Sequence, residues 1–559
     1  MAPRAPTPTG SSESVVPDDD GATPTAASTT TMSLSKQRIP KEDIPVPLRQ
    51  WNTFHWELNI LSAVALYGVY EFVIPATHRT LAHVVLGLLA LDATRYYYSR
   101  GTLAGVPYTL PLVTILAMLA RPVRFWTELA HIALQSVDGL CANQLVGNFM
   151  VFVTDPALCR EIMTGEADYG IYAHPNAMWL FGEKNLIYIA SEPHKAIRAI
   201  LTPALFSKNA LGLYAMHQER VVRQYLAKFV EICQQPGKDA HIDALVSFRT
   251  MAAASSQEAF LGPYLNDDLR HHLEQDIVTF TMGFLSFPFP YLGGLRRAIQ
   301  AKNRIEATVH DVIPKARAWV QAGNEPRCLL EFWSLAIQNA AKEQNVSAQD
   351  VPGCQDDDVA RTVLDFLFAA QDATNSALTY SLDVLGGHRN VLQSMRNEVD
   401  AECGDGPIHA KAHAADSLVY VAKVANQMLH HKPPVPMIPH ICKRNVTLAG
   451  HALKKGTVVI PSITYSARVG GGSLEFNPLR DDADAQFVKT VTFGAGQHKC
   501  PGRKYAESLL NVFMAVLAQE YDFERVADQR PGVDDFIYFP TVFPTDTRFV
   551  IQKRVKATE

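Results

Sequence analysis

No C-x-x-C pair occurs among the eight cysteines of the chain, which lie scattered at 141, 159, 233, 328, 354, 403, 442 and 500. That spacing excludes a disulfide framework and fits a reducing compartment in which most thiols serve as small core residues. Charge is scarce as well. Charged residues make up 19% of the sequence and the net charge is −5, so the basic excess that phosphate backbones demand is missing and nucleic acid is excluded as a partner. No G-x-G-x-x-G opens a strand-to-helix unit, so the chain carries no dinucleotide fingerprint of its own. His430, His431 and His440 do not match zinc-ligand spacing, and no repeat at a period of roughly 20–50 residues is visible. With 47% hydrophobic residues over 559 positions, what remains is a large, compact, apolar protein.

Its most informative stretch is Phe493-Gly494-Ala495-Gly496-Gln497-His498-Lys499-Cys500-Pro501-Gly502, followed by a helical run from Arg503 to Ala518. Glycine tolerates positive φ and close backbone approach, so Gly494, Gly496 and Gly502 predict a tight bulged hairpin that delivers Cys500 to the start of the next helix. Free backbone N–H groups and the positive end of the helix dipole favour a thiolate there. A thiolate behind an aromatic lid such as Phe493 suits a heme iron that needs an anionic proximal ligand.

The rest of the chain divides by composition. Residues 1–40, rich in Pro, Thr, Ser and Ala, cannot bury enough apolar surface to offset ordering entropy, which predicts disorder. An apolar run from Leu58 to Ala76 would reach ~28 Å as a helix, the length needed to cross a bilayer core, and Leu81–Leu91 adds a shorter one. Residues 57–95 are therefore expected to be a membrane anchor, with Tyr96, Tyr97, Tyr98 and Arg100 as an interfacial belt; the alternative is a buried helical hairpin, since Asn59 and Glu71 would be costly at membrane depth. The catalytic domain is expected over residues 100–559. Gly147–Val153 has the content of a strand, and Asp155-Pro156 starts a helix. Phe287-Pro288-Phe289-Pro290 reads as a connector between long helices. Apolar residues at 359, 363, 366, 367 and 370 give the run from Asp356 to Gly386 the period of a core-crossing helix. Within it, Asp372 and Thr374 stand beside alanines, a place with room for a diatomic ligand and groups able to relay protons.

The pattern F-G-x-G-x-H-x-C-x-G resembles the cysteine loop of the cytochromes P-450, and Phe368–Thr374 resembles their oxygen-activation segment, with Ala373 where a threonine is usual. Leu180–Tyr188, Pro193–Arg198, Leu205–Leu211, Gln371-Asp372-Ala373, Lys432–Val435 and Tyr538–Thr541 resemble the sterol C-22 desaturases, a likeness running with gaps from about residue 105 to 550. The resemblance implies a mainly α fold with a small β portion and a b-type heme with Cys500 as its metal ligand. It also implies that His498 and the i,i+4 pair His194 and Arg198 meet the heme propionates. As an enzyme of this kind the protein would use O2 and electrons from NADPH, passed through a separate NADPH-cytochrome reductase, to desaturate a sterol side chain. Phe366, Val435, Met437 and Ile438 would line the pocket. The expected location is the endoplasmic reticulum membrane, with the catalytic domain facing the cytosol.

The resemblance breaks at one place. The E-x-x-R that should precede Pro433-Pro434 reads Gln427-Met428-Leu429-His430, so the buried ionic lock that the family completes with a later arginine, here Arg480, lacks its first two charges. Replacing a buried ionic set by neutral hydrogen-bonding groups is tolerated better than stranding one charge. Two rivals therefore stand beside desaturation: another sterol or lipid hydroxylase or demethylase, and a heme-binding relative without turnover.

Overall fold

The long helix Asp356–Gly387 organises the molecule. Its 32 residues extend ~48 Å, and three acids in its first turn, Asp356, Asp357 and Asp358, complement the positive end of the helix dipole. A computed structural model describes residues 54–555 apart from 71–78, 467–475, 480–490, 527–536 and shorter breaks. The stretch 1–40, residues 287–289 of the proline connector and Arg480 of the lock lie outside the described residues.

Around the long helix pack Ala244–Phe260, Gly293–Gln321 and Arg503–Glu520. Within Arg503–Glu520 the stretch Val512–Ala518 is apolar all round and fully buried, as a helical segment enclosed on every side requires. Local chemistry sets many helix starts. Asp155 accepts from Leu158 N at 2.9 Å with Pro156 in the first turn, Ser207 caps Lys208–Gln234 through Ala210 N at 3.2 Å, and Asn266 caps Asp267–Met282 through Leu269 N at 2.8 Å.

The β portion is small. A five-stranded sheet runs in the order Leu140–Leu145, Asn148–Val153, Val458–Pro461, His440–Cys442, Tyr169–Ile171. The strand expected over Gly147–Val153 is Asn148–Val153, which pairs antiparallel with Leu140–Leu145, with Gly147 in the turn at φ +75°. Asn148–Val153 pairs in parallel with Val458–Pro461 across some 300 residues, which joins the two halves of the chain. A three-stranded sheet and two further pairs complete it.

The N-terminal region differs from expectation. The apolar run from Leu58 enters the helix Phe54–Gly68, residues 71–76 of the run lie outside the described residues, Arg79–Arg100 is the next helix, and among the described residues no helix is long and apolar enough to cross a membrane. Both helices nonetheless expose large apolar side chains, among them Trp56, Ile60, Leu61, Val64, Leu81 and Leu88. Tyr96 does not join an interfacial belt. It is buried, and its hydroxyl donates to Val106 O at 2.6 Å, while Arg100 Nε donates to Leu103 O at 2.9 Å, so both fasten the helix to the turn that follows. Tyr97 and Tyr98 remain exposed. The first helix is itself pinned to Pro122–Gln135. Buried His55 meets buried Glu128 through ring Nδ1 at 2.8 Å, and Arg124 pairs with Glu57 at 2.6 Å.

Candidate active site

The cysteine loop is a tight turn whose hydrogen bonds close on the cysteine. Gly494 N donates to Val491 O at 2.9 Å, Lys499 N to Gly496 O at 3.1 Å and Cys500 N to Phe493 O at 2.8 Å, so Phe493 and Cys500 are held together by one backbone bond. Gly494 and Gly496 have φ of +75° and +72°, the left-handed region that glycine enters freely. Gly496 also presses on the end of the Pro156–Thr164 helix, where a Cβ would lie 2.6 Å from Met163 O. Gly502 departs from expectation. It caps the Arg503–Glu520 helix at φ −88°, a conformation open to any residue, and its role is a backbone N–H directed at Cys500 Sγ.

Burial raises the Cys500 pKa, opposed by the Gly502 N–H and by Arg198 and Arg503. The N–H of Gly502 at the helix start thus favours the thiolate, as the sequence implied, yet desolvation outweighs it. Phe493 packs against the main core cluster, with the Arg503 guanidinium 5.6 Å above its ring.

Beside the loop stand His194 and Arg198, both from the helix Ser191–Phe206. The His194 and His498 rings lie 4.4 Å apart between centroids, and Arg198 donates to Lys499 O at 3.0 Å. Burial depresses both imidazoles to about 4, with the Arg198 charge adding to the effect, so at neutral pH they are uncharged hydrogen-bonding groups. His194 is 1% exposed and its Nδ1 has no hydrogen-bond partner, and no carboxylate among the described residues pairs with Arg198. A thiol, two imidazoles and a guanidinium that no carboxylate pairs among the described residues fit a group that brings its own carboxylates and a metal, which is what heme offers. Cys500 would hold its iron, and His194, Arg198 and His498 its propionates. Ile438 also reaches this loop, its Cδ1 3.8 Å from where a Gly494 Cβ would be.

In the long helix the open face lies on alanines. Ala369 is exposed and Ala370 and Ala373 are half-buried, whereas Gln371, Asp372 and Thr374 beside them are buried. The flanking groups Asp372 and Thr374 lie about 100° around the helix from Ala373 on either side. Asp372 pairs with Arg249 of Ala244–Phe260, Nη2 to Oδ1 at 2.6 Å and Nε to Oδ1 at 2.9 Å. Burial raises its pKa and Arg249 counters. Arg249 was not legible in the sequence as part of the site. Phe366 lies on the open stripe but packs toward Phe260, 6.2 Å between centroids. Phe368 stacks on Phe284 at 5.4 Å and meets Phe181 edge-on at 5.3 Å, closing one side of the opening. Met437 is buried and Val435 is partly exposed. Gln427 is buried in the helix Val419–His431 with no hydrogen-bond partner on Nε2, and His430 follows it by three residues on the same helix.

The model of the family described as "Cytochrome P450" matches residues 106–540, more than half of the chain. The chain belongs to the cytochrome P450 family. The P450 fold is also that of a solved cyanobacterial protein, "Retinoic acid bound cyanobacterial CYP120A1", which superposes with a TM-score of 0.61 at 19% identity and covers 74% of this chain and 92% of that one. Among curated relatives, Cytochrome P450 710A2 of Arabidopsis thaliana is 30% identical over 83% of this chain and 94% of its own length. The C-22 sterol desaturase erg5 of Aspergillus fumigatus is 26% identical over 83% of this chain and 92% of its own. Membership implies heme iron, dioxygen and electrons from a redox partner, and makes the protein a P450 monooxygenase-type oxidoreductase.

Proposed function

We propose that this P450 introduces a C-22 double bond into a sterol side chain. The observation that carries the reading is the alanine face of the long helix, where Ala369, Ala370 and Ala373 leave an apolar wall against which a saturated chain can lie. The resemblance of Gln371-Asp372-Ala373 to the sterol C-22 desaturases and the likeness to the Aspergillus protein support it.

When bound, heme supplies oxygen activation and removal of hydrogen from an unactivated C–H bond. The chain does the rest. Cys500 donates the anionic ligand, with Gly502 N–H and Arg198 stabilising its charge. Phe493 shields that side, and the alanine wall holds the side chain of the substrate in register. Asp372, kept in place by Arg249, and Thr374 carry protons to the reacting face. Overall, dioxygen becomes two waters, half of the reducing equivalents coming from NADPH through a separate reductase and half from the two hydrogens lost by the sterol. Exposed apolar side chains on the two N-terminal helices support residence at the endoplasmic reticulum membrane with the catalytic domain in the cytosol.

The test is a reduced, CO-bound absorption spectrum followed by incubation with a side-chain-saturated sterol, NADPH and reductase. A red-shifted Soret band, lost in Cys500→Ala, and an alkene product are expected. An alcohol in its place would identify a hydroxylase. A normal spectrum without turnover would identify a degenerate relative, the reading favoured by Gln427 Nε2, which has no hydrogen-bond partner among the described residues.

A further inference from the structure

We propose that Asp365 and Asn185 form the polar end of the substrate groove and receive a hydroxyl group of the substrate, a proposal that rests on the sterol reading above. Asp365 precedes exposed Ala369 by one turn and Asp372 by two, so it stands on the ridge that borders the alanine wall. A ligand reaching from Ala373 to Asp365 follows the helix for about 12 Å. The reacting side chain and the ring hydroxyl of a sterol lie at opposite ends of the molecule, and the long helix carries its alanine face at one place and Asp365 about two turns before Ala373.

The pair is built and incomplete. Asp365 is 4% exposed and Asn185 1%. Asn185 Nδ2 donates to Asp365 Oδ1 at 2.5 Å, and Ile187 N donates to Asn185 Oδ1 at 2.8 Å. Asp365 Oδ2 has no hydrogen-bond partner, and a buried oxygen left in that state is unfavourable until something pairs with it. Among the described residues the titratable groups facing it are Lys302 and Glu306 from Gly293–Gln321, paired with each other at 3.7 Å, and the neutral Tyr188 phenol from the loop that follows Asn185.

Chemistry narrows the ligand. Burial, with Glu306 adding to it, pushes the Asp365 carboxyl up to about 8 against the opposing pull of Asn185, the Leu186 N–H and Lys302. At neutral pH it is a neutral acid with an O–H to give, and it would meet an alcohol without taking a charge out of water. An alcohol both accepts from that O–H and can donate in return. An anionic ligand would instead face Glu306.

The test uses the full chain loaded with heme. Binding of a 3-hydroxysterol with a saturated side chain is compared with binding of its 3-deoxy counterpart, read from the change in heme absorption. The wild type should prefer the hydroxysterol by about tenfold, the worth of one buried neutral hydrogen bond. Asp365→Leu should erase the preference while binding the deoxysterol as the wild type does, and Asp365→Asn, still polar and uncharged, should keep part of it. Should the leucine variant not load heme, Asp365→Met replaces it, since methionine fills irregular space. Equal weakening of both sterols by the apolar variants would reduce Asp365 to a structural role and overturn the proposal. Wild-type binding without discrimination overturns this assignment alone, whereas failure to bind either sterol overturns the sterol reading and the assignment with it.

Discussion

Replacing Gly496 by alanine separates two effects that glycine serves in the cysteine loop. Gly494 and Gly496 have nearly the same left-handed backbone, φ +75° and +72°, so an L side chain pays the same conformational penalty at each, about 1–2 kcal/mol. Their surroundings differ. A Cβ on Gly494 finds its nearest neighbour at 3.8 Å, an ordinary contact, whereas one on Gly496 lies 2.6 Å from Met163 O and 3.2 Å from Thr164 Cα. Both obstacles are backbone at the end of a helix and cannot swing aside, which adds an overpacking term of about 1–3 kcal/mol. Gly494→Ala should thus lose about 1–2 kcal/mol and Gly496→Ala about 2–5 kcal/mol. Urea unfolding of the heme-loaded protein, followed in parallel by Soret absorbance and far-ultraviolet circular dichroism, reads the difference. Equal losses, or a smaller loss at Gly496, would falsify the claim that the loop seats against the Pro156–Thr164 helix through this glycine.

Arg249→Leu leaves the buried carboxylate of Asp372 without its cation and should destabilise the fold by about 3 kcal/mol in thermal unfolding, with Asp372→Asn in the same background recovering most of it; no recovery would show that Arg249 acts through other contacts. Asp365 holds its proton up to about 8 in the folded chain, whereas the unfolded chain releases it near the ordinary carboxyl value of about 4. Stability should therefore fall as pH rises through that window, by at most about 1.4 kcal/mol per pH unit, and Asp365→Asn should flatten the profile measured by urea titration at several pH values. Deleting residues 1–95 should lower the membrane-bound fraction in sedimentation, but it also removes His55 from buried Glu128, so the truncated protein should be less stable until Glu128→Gln is added.

Local chemistry was legible in the sequence, and pairings across long separations were not. The cysteine turn, the Asp155-Pro156 helix start and the strand before it are written in adjacent residues, because glycine, proline, a capping acid and β-branched or aromatic side chains act on their own backbone. Gly502 shows the limit of that reading, since its neighbours do not reveal whether a glycine serves φ or an exposed N–H. Arg249 meets Asp372 across 123 positions and Asn185 meets Asp365 across 180, separations that no periodicity encodes. The openness of Ala369 had a faint signal, small residues four apart in an apolar helix, but alanine packs equally well against a neighbouring helix, so only the surrounding burial distinguishes the two. Of the lock residues, Gln427 and His430 share a helix, and Arg480 lies outside the described residues.

The His55–Glu128 clasp has a mechanical consequence. A tether that joined the first helix to the domain through a loose linker would let the two swivel independently. Here the joint is a buried pair reinforced by Arg124 and Glu57, and the described residues belong to one compact unit. Any surface that takes up the exposed apolar side of Phe54–Gly68 therefore meets the described remainder of the molecule in a single pose, and the cysteine loop inherits a fixed bearing toward that surface.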